Sequence, residues 1–212
     1  MVRNSDFRPG RSTSGIVVRN NRIASASDEA VAAFGWEGLV ENVRIENNTI
    51  VAHGASFGIS TYGHKSLSET GQIMGVDIVG NSIEGGAVGA IGVMSGARQV
   101  NIVNNTVSQT LQDGIFIDPG GEGLPSAVTI SVMQNTITDI GRAGIYANGV
   151  DIQVEQNTIS NCLGSGVYAA AGVSVIGNVI SDVQYLIMAE VEDDAIIHDN
   201  IFPKGGDVIY LH

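Results

Sequence analysis

Tyr62, His64, Lys65, Asp118 and Tyr146 are side chains that could move protons if the fold gathered them. A lysine or histidine can take the proton beside a sugar carboxylate and a tyrosine can return one. A cation such as Arg142 would neutralise the carboxylate during that exchange. Lys65 or His64 would be the base, and Tyr62 or Tyr146 the proton donor. Asp118 with Glu122 or Glu69 could instead supply the carboxyl pair that cleaves a glycosidic bond, which must stand about 5 to 9.5 Å apart. Phe116, Tyr146 and Tyr168, with Asn148 nearby, offer apolar surface and hydrogen bonds to a bound chain. A Tyr-x-His-Lys string is not diagnostic, and loop charges of this kind are commonly just solvated.

The elements that must position these residues follow from one asparagine that recurs at Asn21, Asn48, Asn81, Asn105, Asn135, Asn157, Asn178 and Asn200. Five residues before these stand Ile16, Val43, Val76, Val100, Ile130, Ile152, Val173 and Ala195. Three before stand Val18, Ile45, Ile78, Ile102, Val132, Val154, Val175 and Ile197, and two after stand Ile23, Ile50, Ile83, Val107, Ile137, Ile159, Ile180 and Phe202. Every one is apolar, although the chain as a whole is 43% hydrophobic. The position four before the Asn is mostly polar, as the outward face of a strand requires. A unit of 21 to 33 residues repeated end to end builds a solenoid, in which each unit buries its apolar face only on its neighbours. β-Branched alternation predicts strands rather than helix pairs. The asparagines are expected at a shared corner, bonding the backbone and the amides of the coils above and below.

Each coil is expected to hold three short strands. The third lies about ten residues past the Asn in most coils, with Val31, Ile59, Ile91, Ile115, Ile145, Val167 and Leu186 inward. Two-residue alternation then gives one outward column of Ala32, Ser60, Gly92, Phe116, Tyr146, Tyr168 and Ile187. A second outward column holds Phe34, Tyr62, Met94, Asp118, Asn148, Ala170 and Ala189. Phe116, Tyr146 and Tyr168 would stack at the inter-strand spacing of about 4.8 Å, close to the length of one sugar residue. Their faces could pack on sugar rings, or they could stabilise one another or a subunit contact. Gly58, Gly114, Gly144 and Gly166 mark the corner before this strand, where a positive φ or close stacking excludes a Cβ. The longest insertions, 62–75 and 118–126, leave this same face, where function usually sits.

These repeats resemble the right-handed parallel β-helix of the pectate-lyase-like superfamily over residues 15–212. The resemblance implies an all-β, single-stranded parallel β-helix of about eight coils with an Asn ladder, preceded by a lead-in segment 1–14. It implies a protein that acts on or binds a polysaccharide or oligosaccharide along the third-strand sheet: a lyase, an epimerase or a glycoside hydrolase. A module that binds a glycan without turnover, as in tailspikes and adhesins, is the alternative. The polygalacturonase pattern is absent: the acid pair Asp193–Asp194 comes late, YGHK stands at His64, and no Arg-Ile-Lys occurs. GIFIDPGGE resembles the Asp-Pro-His-Glu element of uronate epimerases through Asp118 and Pro119, with Gly120 in place of its histidine. Calcium is a possible cofactor by resemblance, although Asp118 is the only acid on the groove floor. The resemblance also places such a protein outside the cell or on its surface.

A net charge of −12 with only 10 Lys and Arg excludes a phosphate-binding footprint, hence nucleic acid. No transmembrane run or signal peptide is visible. The ends lack an evident cap, so a longer parent chain or a homotrimer is expected to cover them. Cys162 falls on a core position and reads as a small buried hydrophobe. His53 is expected close to the core and His198 on the surface. Glu190, Glu192, Asp193 and Asp194 read as a solvated acidic loop.

Overall fold

The computed structural model describes residues 2–3, 12–24, 27–35, 38–63, 65–66, 69–118, 126–170, 172–190 and 196–211. Their chain winds into a parallel β-helix of eight coils. The first strands of the coils form one eight-stranded parallel sheet, from Ser12–Arg19 through Leu39–Glu46, Gln72–Val79, Ala97–Val103, Val128–Met133, Val150–Glu155 and Val173–Ile176 to Ile196–His198. This sheet is the first face. The second face carries short strands such as Ser82–Glu84 and Thr106–Thr110. The third face carries Glu29–Gly35, Phe57–Gly63, Gly89–Val93, Asp113–Ile117, Ile145–Ala147 and their successors. In coils six and seven the second and third strands merge into single runs, Thr158–Ala169 and Val179–Glu190. Ahead of the first coil, Val2–Arg3 already pairs with Ala33 and Phe34.

Register follows the repeat read from sequence. Val43, Val76, Val100, Ile130 and Ile152 align on the first face, as do Ile45, Ile78, Ile102, Val132 and Val154. These residues, with Ile50, Ile83, Val107, Ile137 and Ile159 from the second face, are at most 1% exposed and form one continuous core. Burying each such side chain contributes about 1.5–3 kcal/mol, and nearly all of it comes from the adjacent coils.

The corner between first and second faces is an unbroken amide ladder. The side-chain oxygen of Asn105 accepts from the backbone N–H of Asn81 (2.9 Å) and from its amide (3.0 Å). The Asn105 amide in turn donates to Asn135 Oδ1 (3.0 Å) and to the Ile78 carbonyl (2.8 Å). The same pattern runs from Asn21 to Asn200. Asn48, Asn81, Asn105, Asn135, Asn157 and Asn178 are buried, so the ladder satisfies polar groups that the sharp turn would otherwise strand.

The residue before each ladder Asn adopts a left-handed backbone. It is Asn20, Asn47, Gly80, Asn104, Gln134, Gln156, Gly177 or Asp199. Asn, Asp and Gly tolerate this region best. The corner glycines of the third face answer a different need. A Cβ on Gly144 would stand 2.4 Å from Ile159 Cγ2 and 2.7 Å from the Gly166 carbonyl, so close stacking rather than φ excludes it.

One register expectation fails. In coil seven Ile187 aligns with Val167 and Ala189 with Ala169, so both point inward while Met188 and Glu190 point out. Leu186 instead takes the corner position aligned with Gly166. The cause is a missing residue: Cys162 pairs with Val183, but Ser165 pairs with Tyr185. A one-residue shift exchanges the two faces of a strand.

Candidate functional site

In the first outward column the accessible part of the third face lies on coils four to seven, and in the second column Tyr62 and Met94 on coils two and three are half-buried as well. On coils one to three the outward residues Ala32, Phe34, Ser60 and Gly92 are buried along with the inward ones. Phe57 explains part of this, since its ring lies over Gly89 and Gly92 and would stand 2.7 Å from a Cβ on Gly92. Beyond it, Phe116, Tyr146, Tyr168 and Met188 are half-buried and share one column.

Phe116, Tyr146 and Tyr168 stack as expected, with centroids 5.3 and 4.8 Å apart and ring planes within 18° and 8°. Phe57 continues the row at 6.1 Å from Phe116. Nearly parallel rings this close cover one another's faces. The expected packing of ring faces on sugars is therefore unavailable inside the row, which turns its edges and hydroxyls outward.

Two charged groups are fixed beside the row. Arg142, in the corner before the third strand of coil five, pairs with Asp113 of coil four through Nε to Oδ1 (2.8 Å) and Nη2 to Oδ2. Asp113 is fully buried and also accepts from the Ala143 N–H at 3.1 Å. Its carboxylate holds Arg142 in place and keeps the guanidinium pKa above its ordinary value. Half of the Arg142 side chain stays exposed, and its guanidinium lies 5.0 Å from the Tyr146 centroid. On coil six the Tyr168 hydroxyl donates to Glu190 of coil seven. Burial, reinforced by that carboxylate, raises the Tyr168 pKa, so the phenol stays protonated and acts as a donor. Glu190 thus ends a strand of the site and does not belong to a solvated loop.

The column beside the aromatic row runs Asp118, Asn148, Ala170 and Glu190. Its two acids sit three coils apart, roughly 14 Å along the axis, which exceeds the separation a glycosidase pair needs. Asp113, the third acid, is sealed under Arg142.

Several sequence-proposed residues fall elsewhere. Tyr62 stacks on Phe34 at 5.0 Å and 2°, on coils one and two, three coils from Tyr146. Lys65–Ser66 pairs antiparallel with Glu69–Thr70 as a small hairpin in the first insertion. His64, Glu122, Asp193 and Asp194 lie outside the described residues. His53 is exposed and paired with Glu84 at 2.9 Å, because the buried position of that turn is taken by Ala52. Exposed His198 pairs with Asp199. Cys162 is buried, and burial pushes its thiol pKa up to about 12, so it is chemically inert. Among the described residues no group of three or more His, Cys, Asp or Glu is placed to hold a metal. Among those residues no helix is long and apolar enough to cross a membrane.

Asp113, Phe57 and Glu190 were not legible as site residues. The one available signal was Asp113 itself, an acid directly before a corner glycine in a row that also holds Glu29, Phe57 and Gly89.

A family model described as the right handed beta helix region matches residues 89–212. The chain belongs to that family. Among solved structures, it resembles the A-module of the Azotobacter vinelandii mannuronan C-5 epimerase AlgE4, at 15% identity and a TM-score of 0.62. That match covers 97% of this chain and 59% of the module, so the chain spans about three-fifths of its structural relative. The AlgE6 A-module from the same organism follows at 17% identity and a TM-score of 0.49, covering 94% and 61%. The Dettilon tailspike protein follows at 10% identity and 0.43, covering 95% and 61%. No curated protein matches the sequence. At these identities the β-helix members share the fold and not a demonstrated site.

Proposed function

We propose that this β-helix binds a polysaccharide lengthwise along the third face of coils four to seven. One observation carries the reading. A half-exposed Arg142, locked by buried Asp113, stands next to stacked Tyr146 and Tyr168 on a rigid face that repeats at about the length of a sugar residue. Guanidinium, phenol, amide and carboxylate groups at fixed positions suit sugar hydroxyls and carboxylates, and the stacked rings hold them with little entropy left to lose. The same fold in a module named for mannuronan epimerisation is compatible with a polymeric sugar. Such a ligand would place the protein outside the cell or on its surface.

Binding without turnover is the leading form. Among the described side chains, no histidine or lysine stands on coils four to seven of this face to serve as a base. A second reading, a lyase- or epimerase-type enzyme, draws on Arg142 and Tyr168. Arg142 would neutralise a uronate carboxylate and Tyr168 would donate the returning proton. Hydrolysis finds no support in the spacing of Asp118 and Glu190.

Titration calorimetry against a glycan panel tests the proposal. The double variant Arg142→Gln with Asp113→Asn keeps the corner neutral and hydrogen-bonded, and should weaken any hit at least tenfold. Tyr168→Phe should weaken it severalfold. Unchanged affinity in both variants would refute the third-face site. Ultraviolet absorbance from an unsaturated uronate, or a changed uronate ratio by NMR, would select the enzymatic reading.

A further inference from the structure

The first face carries a concavity on the other side of the coil. A trough of about 560 Å3 crosses coils four to seven, lined by Gln99, Asn101, Thr129, Ser131, Asp151 and Gln153 and ending at Ser174 and Gly172. We infer that this trough is a binding site for a neutral oligosaccharide, separate from the third-face site and independent of it.

Two columns build it. Asn101, Ser131, Gln153 and Ser174 align strand to strand and are all uncharged hydrogen-bonding side chains. Beyond the trough the same outward column changes character, to Val17, Arg44 and Asp77 on one side and Ile196 on the other. Asn101 donates to Asp77 at 2.8 Å, which orients its amide at the trough's edge.

The second column is where each of coils one to seven bends through a left-handed residue. Outside the trough that residue is Gly15, Asn42 or Gly75, types that adopt this conformation readily. Within it the residues are Gln99, Thr129 and Asp151, with φ of 54°, 59° and 55°. A β-branched threonine in this region is strained. Gly172, also left-handed, lines the trough's far end without a side chain. Side chains that glycine could replace without strain therefore stand in the three coils where they line a concavity, and their polar atoms are solvated.

The chemistry of the lining selects the ligand class. Amides and hydroxyls both donate and accept, as sugar hydroxyls do. Asp151 is the one carboxylate in the lining, accepting from hydroxyls and repelling uronates. Four coils span roughly 14 Å, enough for about three sugar residues.

Saturation-transfer NMR and calorimetry with maltotriose, cellotriose, mannotriose and a triuronate test the site on the full chain. At least one neutral trisaccharide should bind, and the triuronate at this trough should bind at least tenfold more weakly. Ser131→Leu with Gln153→Leu, both on the solvent side of their strands, should weaken the neutral ligand at least tenfold. The Arg142→Gln, Asp113→Asn protein should bind it as wild type. Thr129→Gly should weaken it severalfold without lowering Tm. The inference is overturned if no neutral trisaccharide binds, if the leucine variant binds normally, or if the third-face variant alone loses binding. Loss of the third-face glycan with retention of the trough ligand separates the two sites.

Discussion

Replacing Asn105 with alanine tests the ladder in its buried interior. The substitution removes the acceptor for the Asn81 N–H and the donor to the Ile78 carbonyl, held at 2.9 and 2.8 Å. The Asn81 amide keeps its bond to the Ile45 carbonyl, and Asn135 Oδ1 keeps the Asn105 N–H. Two buried backbone groups are thus left without partners, each costing about 1–3 kcal/mol. The expected loss is about 4 kcal/mol, and at about 2–4 °C per kcal/mol for a chain of this size, Tm falls by roughly 8–16 °C. Thermal melts followed by far-ultraviolet circular dichroism measure it. Asn101→Ala, on the solvent face of the preceding strand, serves as the control and should stay within about 0.5 kcal/mol of wild type. Asn200→Ala, at the half-exposed end of the ladder, should cost clearly less than Asn105→Ala. A loss below about 1 kcal/mol for Asn105→Ala, or an equal loss for Asn200→Ala, would refute the assignment of the ladder as a buried polar necessity.

Gly144→Ala forces a Cβ to within 2.4 Å of Ile159 Cγ2 and should cost about 1–3 kcal/mol by urea titration, whereas Gly172→Ala meets no neighbour and pays only for its positive φ. The Tyr168 phenol, raised by burial and then by Glu190, should ionise after an ordinary tyrosine in a spectrophotometric titration. Glu190→Gln should lower that pKa part of the way, because burial remains; no change would exclude the Tyr168–Glu190 bond. Asp182 has its pKa lowered by the Lys204 hydrogen bond, so its contribution to stability is present above the unfolded carboxylate pKa and fades as pH falls through the folded one. Carbon-detected NMR titration should show the Asp182 pKa rising in Lys204→Ala.

How far the site could be read from the chain follows from which contacts repeat. The column Phe116, Tyr146 and Tyr168 was visible because each residue sits at the same offset from its ladder Asn. Phe57 was not, because it leans out of its own coil to fill space vacated by Gly89 and Gly92. The Arg142–Asp113 pair joins two corner residues 29 apart that carry no motif. Tyr62 and Tyr146 occupy equivalent strands of coils two and five, so the asparagine repeat itself already set them three coils apart. The direction of the ring planes is set by packing against the neighbouring coils, and it turns the ring faces on one another.

What the amino-acid order determined unaided was the solenoid, its inward columns and its asparagine corner. Each coil buries itself only on the next, so a short local pattern repeated eight times is enough to specify them. Tertiary structure decided which outward side chains meet, since that depends on how many residues each corner spends. One residue fewer between Val183 and Met188 than between Cys162 and Tyr168 of the coil before turned Glu190 outward and set it against Tyr168.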